Sequence, residues 1–309
     1  MKKFVLKVLL FFASVVVMDF AFGQFFSYLR AHAKGGSTAN CEYIANRATD
    51  DIIILGSSRA THHYIPQIIE DSLGVSCYNC GEEGNGVVLA YGRLKMLTDR
   101  YTPKLVIYEL TPGFDYGTKD PNTKYLGYLR AYYNKDGISD VFDDFDDELS
   151  FLKMKSKMYQ NNSRIVPLIF DNLFCRVNNK GYDPLYGTLD ISKVKEGQKG
   201  DGVSTIDSLK LNYLEKIIKL CQRKGIPLLF MISPWYDYGV GFVEYEPAIT
   251  LSEKYSIPVC NYLNSPTFSQ NYQLFQDNCH LNNEGAKVFT NTLVRDILNH
   301  GILNINKSN

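Results

Sequence analysis

Two short stretches, far apart in the chain, carry residues that could perform nucleophilic chemistry. The first is Gly56-Ser57-Ser58, which directly follows the apolar run Ile52–Leu55, and the second is Asp277-x-x-His280. A serine at a strand-to-helix turn can act as a nucleophile when a histidine accepts its proton. A carboxylate three residues before that histidine can hold the ring in the required tautomer. The residue types and their spacing therefore predict a triad of Ser58, His280 and Asp277.

Both stretches also fit purely structural roles. Serine is a preferred N-cap residue, so Ser57 or Ser58 could simply cap the helix that follows. Asp277 and His280 could belong to a capping loop before the last helix. Arg59, His62 and His63 follow Ser58 closely in sequence. The two histidines could line the cleft, but we expect them to lie on the surface of the first helix.

The elements that must position these residues alternate between strands and helices. Continuous apolar runs predict buried strands at residues 52–55, 75–79 and 104–110. Helices are predicted between them, at about 59–72 with an interruption at Pro66, and at 87–101. In βαβ units, right-handed crossovers place the turns after all three strands at one edge of the sheet, where open α/β folds hold their ligands.

The same rhythm returns in the second half of the chain. Residues 204–224, 246–255 and 284–299 are predicted helices, and residues 227–233 and 257–261 are predicted strands. Residues 112–200 interrupt the rhythm and are predicted to be a helical insertion that builds one wall of the cleft. The predicted fold is therefore a three-layer α/β/α arrangement around a central, mostly parallel five-stranded sheet.

The N-terminus is apolar after an initial Met-Lys-Lys. Val8–Leu29 is long enough to span a bilayer as an anchor. Ala21-Phe-Gly23 also offers a small-x-small site at which a signal peptide could be cleaved. We favour the anchor, and either interpretation places the rest of the chain outside the cytoplasm. The predicted organisation is residues 1–30 as anchor or signal segment, 31–49 as a polar linker, and 50–309 as the α/β domain.

Composition narrows the possible partners. Lys and Arg together number 33, as do Asp and Glu, so the formal net charge is zero and a nucleic-acid partner is not expected. Of the seven cysteines, Cys77 and Cys80 have C-x-x-C spacing, but the sequence lacks the second pair that a zinc site requires. No metal site is predicted. Most of the cysteines are expected to be buried small hydrophobic residues, with allowance for one disulfide.

Three blocks of the sequence resemble the SGNH, or GDSL-like, hydrolases. Gly56-Ser57-Ser58 resembles the first block, in which the order is Gly-Asp-Ser and the serine is the nucleophile. Asn79–Gly84 is similar to the second block, and Asp277-x-x-His280 to the last, which supplies the acid and the base. The resemblance covers about residues 50–111 and 203–300. It implies a flavodoxin-like SGNH-hydrolase fold, with Ser58 as nucleophile and no cofactor.

The resemblance also implies an oxyanion hole, with one departure from the family pattern. The backbone N–H groups of Ser58 and Gly84 correspond to two of its donors. The family's third donor is an asparagine after the third strand, but Glu109–Asp115 contains none. Loss of such a donor typically lowers the rate by roughly 100- to 1,000-fold. Either Asn85 or another group takes its place, or turnover is modest.

The function implied by the resemblance is ester hydrolysis at the cell envelope. Membrane-anchored relatives with Gly-Ser-Ser-Arg also carry a long insertion after the third strand. The expected substrate is therefore an acyl ester, such as an O-acetyl group, on an envelope glycan or a small molecule. The expected location is the cytoplasmic membrane, with the catalytic domain outside the cytoplasm. Two alternatives use the same chain: an acyltransferase with the same triad, and a binding or assembly protein that has lost catalysis.

Overall fold

A five-stranded sheet lies at the centre of the computed structural model, which describes residues 1–118, 126–145, 149–175, 177–194, 205–236 and 243–299. Its strand order is β2-β1-β3-β4-β5, and every neighbouring pair is parallel. This is the flavodoxin-like order of doubly wound α/β folds, so the predicted fold class is confirmed. The strands are Ile52–Leu55 (β1), Cys77–Asn79 (β2), Leu105–Glu109 (β3), Leu228–Ile232 (β4) and Val259–Asn261 (β5).

Helices cover both faces of the sheet, which explains why its central strands are continuously apolar. Ile53 and Leu55 of β1 face one core, whereas Ile52 and Ile54 face the other. Successive side chains of a strand point to opposite faces, so a strand buried on both sides needs an unbroken apolar run. The α-helices are Lys2–His32 (α1), Gly36–Asn46 (α2), Ser58–His63 (α3), Pro66–Leu73 (α4), Val87–Thr98 (α5), Pro112–Asp115 (α6), Ser139–Phe145 (α7), Ser150–Lys153 (α8), Lys157–Asn161 (α9), Ile165–Phe174 (α10), Ser208–Lys224 (α11), Glu246–Tyr255 (α12) and Asn283–Asn299 (α13).

The helices that cover the sheet form two layers, one on each face, and each layer packs on the sheet through its own hydrophobic core. Residues of α5 and α11 pack on one face of the sheet, together with residues of α2 and α12. Residues of α3, α4 and α13 pack on the other face. The break between α3 and α4 lies just before Pro66, because proline removes a backbone donor and disfavours helical geometry in the residue before it. The helix predicted at 59–72 is thus two helices.

The N-terminal segment is one long helix followed by a short packed one. Among the described residues, α1 is the one helix whose length and composition would allow it to cross a membrane. The prediction of a linker at residues 31–49 needs correction, because α2 occupies residues 36–46. Ile44, Ala45 and Ala48 are buried in the core beside α5. The small and polar residues of the predicted linker instead form a helix that packs closely on the domain.

Among its described residues, the insertion after β3 contains five α-helices up to Phe174, whereas residues 177–190 form turns and loops. These helices are α6 to α10, of which α8, α9 and α10 lie between residues 149 and 174. Residues 119–125, 146–148, 176 and 195–200 of the predicted insertion lie outside the described residues. All seven cysteines are free thiols, so the disulfide allowed from sequence is not formed.

Candidate active site

Ser58 lies where β1 ends and α3 begins. Gly56, between them, has φ +144°, a conformation that residues with a Cβ rarely adopt. A Cβ at this position would lie 2.8 Å from the Glu109 carbonyl oxygen and 3.0 Å from the Ala60 Cβ. The glycine therefore permits a tight turn against β3. This turn presents Ser58 as the first residue of α3, at the carboxyl edge of the sheet.

His280 reaches the same edge from the other end of the domain. The turn that carries it is closed by a hydrogen bond of 2.9 Å from the Gln276 backbone N–H to the His280 carbonyl oxygen. Inside the turn, Asp277 Oδ1 accepts the backbone N–H groups of Cys279, at 2.9 Å, and His280, at 2.8 Å. These bonds fix the carboxylate relative to the imidazole before any substrate is present.

The three side chains form a continuous hydrogen-bonded chain. His280 Nδ1 lies 2.8 Å from Asp277 Oδ2, and His280 Nε2 lies 2.8 Å from Ser58 Oγ. Because the Nδ1–H group faces a carboxylate, the neutral imidazole presents its lone pair on Nε2 to the serine hydroxyl. The structure thus brings together all three residues that the sequence predicts as a triad.

The charge state of Asp277 suits this arrangement. Burial alone would raise the pKa of its carboxyl group. The hydrogen bond and charge of His280 and the backbone N–H groups of Cys279 and His280 outweigh burial and lower that pKa to about 2. Asp277 therefore stays ionised at neutral pH and keeps a negative charge beside the imidazole.

Two backbone N–H groups correspond to the expected oxyanion donors. Neither Ser58 N–H nor Gly84 N–H has a hydrogen-bond acceptor among the described residues. Gly84 has φ +64°, and the loop before it is tied to the nucleophile turn by a 3.2 Å hydrogen bond from Glu82 N–H to the Gly56 carbonyl oxygen. The two glycine-containing turns therefore lie side by side.

Asn85 is placed differently from the expected third donor. Its backbone N–H donates to the Glu82 carbonyl oxygen at 3.1 Å, and its Nδ2 donates to the Glu83 carbonyl oxygen at 2.9 Å. Its side-chain oxygen is buried and has no partner among the described residues. Because its donors already serve its own turn, the geometry supports Asn85 as an oxyanion donor less than it supports Ser58 and Gly84.

A buried ionic network, which the sequence pattern does not predict, lies beneath the site. The Glu109 carboxylate, at the end of β3, is fully buried and lies 3.3 Å from the Arg59 guanidinium. It also accepts the Tyr64 hydroxyl, and it accepts the backbone N–H and hydroxyl of Ser233 at 3.1 and 2.7 Å. A single carboxylate thus joins the ends of β3 and β4 to α3. An acidic residue at the end of an apolar strand was the available signal.

The network extends to the loop that carries His280. His63 Nδ1–H donates to Ser233 Oγ at 2.8 Å, and His63 Nε2 accepts the backbone N–H of Leu281 at 3.0 Å. Burial, followed by the nearby charges of His280 and Arg59, lowers the pKa of His63 well below its usual value. The ring is therefore neutral, as its acceptor role at Nε2 requires.

His62 also faces inward. Its Nδ1–H donates to the Asp183 carbonyl oxygen at 2.6 Å, and its ring stands perpendicular to that of His280 with 5.6 Å between centroids. Only 3% of His62 and none of His63 is exposed, so the expected surface positions are wrong for both. The helix α3 is covered on this side by the insertion, which the sequence pattern of a six-residue helix could not reveal.

Two open spaces flank these residues. A cavity of about 610 Å³ is lined by Thr61, Glu83, Phe174 and Asp183, among others. One of its walls comes from Phe174, Cys175 and several of residues 177–183 in the predicted insertion. A second cavity, of about 340 Å³, includes Asp277 in its lining. The second cavity therefore borders the triad at Asp277, and the first borders α3 and the loop before Gly84.

Three side chains of the His280 turn are of types that can ligate a metal. The possible ligand atoms of Asp277, Cys279 and His280 lie within 4.8 Å of one another. We assign no metal to them, because Asp277 and His280 already engage each other and Ser58 through the same atoms. The C-x-x-C pair is unsuited to thiolate chemistry, because burial raises the pKa of both Cys77 and Cys80.

Comparison with known proteins gives no family assignment. No family model and no curated protein matches the chain. Similar solved structures include a protein from Desulfitobacterium hafniense DCB-2, described as lipolytic and of the G-D-S-L family, with 10% identity, a TM-score of 0.41, and coverage of 79% of this chain and 98% of that one. A protein from Bacteroides fragilis NCTC 9343, described as an acylhydrolase, has 12% identity, a TM-score of 0.39, and coverage of 86% and 97%. A gut microbial diltiazem-metabolizing enzyme has 13% identity, a TM-score of 0.29, and coverage of 80% and 46%. Likeness at this level does not establish the family or the site of this chain.

Proposed function

We propose that this protein is a serine hydrolase of the SGNH type that cleaves carboxylic esters. The observation that carries the proposal is the contact between Ser58 Oγ and His280 Nε2 at 2.8 Å, with Asp277 hydrogen-bonded to the opposite nitrogen. These two ends of the domain are 222 residues apart in sequence. A capping serine and a packed histidine have no reason to meet in this geometry, whereas a nucleophile and its base require it.

The first half of the reaction forms an acyl-enzyme. His280 Nε2 accepts the Ser58 hydroxyl proton while Oγ attacks the ester carbonyl carbon. The carbonyl oxygen becomes an oxyanion, which the N–H groups of Ser58 and Gly84 stabilise. When the tetrahedral intermediate collapses, the ester C–O bond breaks and His280 gives its proton to the departing alcohol. Asp277 stays ionised throughout and stabilises the imidazolium.

The second half releases the acid. A water molecule gives a proton to His280 Nε2 and attacks the acyl carbon. Collapse of the second intermediate returns that proton to Ser58 Oγ and frees the carboxylic acid. If a sugar hydroxyl attacks instead of water, the same residues transfer the acyl group to a glycan. The partition between water and sugar separates hydrolase from transferase.

The proposed setting is the cell envelope. We propose that α1 anchors the chain in the cytoplasmic membrane and that the α/β domain acts on acyl esters, such as O-acetyl groups, on an envelope glycan or related molecule. The length and apolar composition of α1 support the anchor. Polar residues such as Asn178 and Asn278 line the two cavities, one of which borders Asp277, and they support a substrate with many hydroxyl groups.

The experiment is pre-steady-state hydrolysis of p-nitrophenyl acetate. The wild type should release about one equivalent of nitrophenol per protein in a burst, and Ser58→Ala should release none. Ser57→Ala is the matched control, because Ser57 is adjacent and buried but donates to Thr111 Oγ1, at 2.9 Å, rather than to His280. A burst that survives in Ser58→Ala, or is lost only in Ser57→Ala, refutes the assignment. A sugar acceptor added to the wild type then measures how much acetate escapes hydrolysis.

A further inference from the structure

Helix α10 is amphipathic in the reverse of the usual sense. Its apolar side chains recur at spacings of three and four residues, so they share one helix face, and that face is exposed. The opposite face is partly polar and turned inward, with Asp171 buried. Two apolar residues of α8 are exposed as well. We call these residues the apolar face; each is between 43% and 77% exposed: Phe151, Leu152, Val166, Ile169, Phe170, Leu173 and Phe174.

The inward side of α10 explains why its apolar face must point outward. Asp171 Oδ2 accepts the backbone N–H of Thr38 at 2.8 Å, near the start of α2. Asn172 Nδ2 donates to the Leu29 carbonyl oxygen at 3.1 Å, near the end of α1. These polar contacts fix the rotation of α10 about its axis. The helix is thus held against α1 and α2 with its apolar side chains facing away from the protein.

The apolar helix α1 is joined to the same region at its middle. Asp19, within α1, accepts the Ser156 hydroxyl at 2.6 Å and the backbone N–H groups of Lys157 and Met158 at 2.8 and 2.9 Å. It therefore caps the N-terminus of α9. Farther along α1, Arg30 donates to Asn161 at the end of α9. From Asp19 onward, α1 runs along the insertion rather than standing clear of it.

The length of α1 decides how deep this region lies. Between Lys7 and Asp19, the free apolar stretch is Val8–Met18, which spans roughly 16 Å at 1.5 Å per residue. The hydrocarbon core of a bilayer is about 30 Å thick. The rest of the bilayer thickness must therefore be spanned by the part of α1 that packs beside α9 and α10. If α1 spans the bilayer, lipid must therefore reach the level of these helices.

We propose that the apolar face of α8 and α10 is a second membrane contact, buried in the outer leaflet beside α1. The inference rests on the membrane anchoring in the proposed function and does not depend on the esterase chemistry. The proposed occupant of the face is lipid acyl chains, for two reasons. The face adjoins α1, which is itself apolar, and a bilayer spanned by α1 must extend to the level of α9 and α10. Asp19 is compatible with this depth, since its oxygens are satisfied by α9. Phe174 belongs to both the apolar face and the lining of the larger cavity, so that cavity opens next to the bilayer.

The test places a fluorescent reporter on the face in the full chain. Phe170→Trp, at a residue 55% exposed, is reconstituted in phosphatidylcholine vesicles with and without lipids brominated on their acyl chains. Val243→Trp is the matched control, because Val243 is 71% exposed and precedes α12, which packs on α11 rather than on α1. The native Trp235 is buried and gives the same background in every variant.

The expected result is at least twofold stronger quenching by brominated lipid in Phe170→Trp than in Val243→Trp. Equal quenching in vesicles that the chain floats with would overturn the second contact while leaving the anchor intact. The fluorescence of Phe170→Trp could instead be blue-shifted in a way that depends on protein concentration and not be quenched by brominated lipid. That result would overturn the lipid contact and assign the face to a second copy of the chain. Failure to float after a carbonate wash would refute the anchor and the contact together. Circular dichroism verifies folding, and the acetate burst of the same samples tests the esterase chemistry separately.

Discussion

The imidazole of His63 accepts the backbone N–H of Leu281 at 3.0 Å, which ties the end of α3 to the residue after His280. Ser58 begins α3, so this bond links the helix that carries the proposed nucleophile to the loop that carries the proposed base. His63 is held in turn by Ser233, which donates to Glu109. The distance between Ser58 and His280 therefore depends on a buried polar network and not on the two residues alone.

The neutral state of His63 predicts how stability changes with pH. Burial lowers the pKa of His63 well below its usual value and also lowers that of His62. In the unfolded chain, these rings take up protons below about pH 6.5. The unfolded state then binds more protons than the folded one. The contribution of these two histidines to the free energy of unfolding therefore falls as the pH falls below that value and does not change with pH above it.

The measurement is the melting temperature of the wild type and of His63→Gln between pH 8 and pH 5. We expect the melting temperature of the wild type to fall further between pH 7 and pH 5 than that of His63→Gln. The variant should nevertheless have the lower melting temperature at pH 8. His32→Gln, at an exposed histidine of α1, should follow the wild-type slope. Parallel curves for the wild type and His63→Gln would show that His63 does not titrate in this range.

The ionic network predicts a large loss of stability in Glu109→Gln. The substitution keeps the side chain's shape but removes the charge that faces Arg59, whose side chain is 2% exposed. Removing one partner of a buried ion pair typically lowers the free energy of unfolding by about 3–5 kcal/mol. Urea denaturation measures the loss. Glu284→Gln, which breaks an exposed ion pair with Lys287, should leave the urea midpoint nearly unchanged. Equal small effects in both variants would contradict the role given to Glu109.

The sequence predicts the fold well because strands that are buried on both faces must have continuous apolar sequences. The central strands β1, β3 and β4 are apolar runs buried on both faces, with Glu109 at the end of β3, and the serine turn follows directly from the end of β1. The ionic network is invisible at that level, since Glu109 and Ser233 meet only through the pairing of β3 with β4. The inward position of His62 depends on the insertion, whose path the local pattern does not specify. The packing of α2 was missed because small residues suit both a flexible linker and a closely packed helix.

The turn before the nucleophile predicts that Gly56 cannot be replaced by alanine without loss of structure. An alanine would have to adopt φ +144° with its Cβ 2.8 Å from a carbonyl oxygen. Backbone strain costs about 1–3 kcal/mol, and forcing extra volume into a packed site costs about as much again. Gly74→Ala is the control, because Gly74 has φ +67° but no atom within 4 Å of the added Cβ. Thermal unfolding should show a clearly larger loss for Gly56→Ala. Similar losses in both would mean that the turn can relax.

The carboxylate behind His280 predicts a kinetic effect with little effect on binding. Asp277→Asn keeps the size of the side chain but removes the charge and favours the wrong tautomer of the imidazole. We expect kcat for p-nitrophenyl acetate to fall by roughly 1,000- to 10,000-fold, with KM changed little. Asp296→Asn is a control, since Asp296 accepts the Tyr262 hydroxyl away from the triad. A kcat for Asp277→Asn within tenfold of the wild type would remove Asp277 from the mechanism.

The contact between Ser58 and His280 is tested most directly by covalent labelling with a fluorophosphonate, which reacts with a serine only when a neighbouring base activates it. Intact-protein mass spectrometry should show one adduct on the wild type, and peptide mapping should place it on Ser58. Ser57→Ala should be labelled like the wild type, whereas labelling should be lost in Ser58→Ala and strongly slowed in His280→Ala. A folded wild type that takes up no label, or carries it on another residue, would contradict the account.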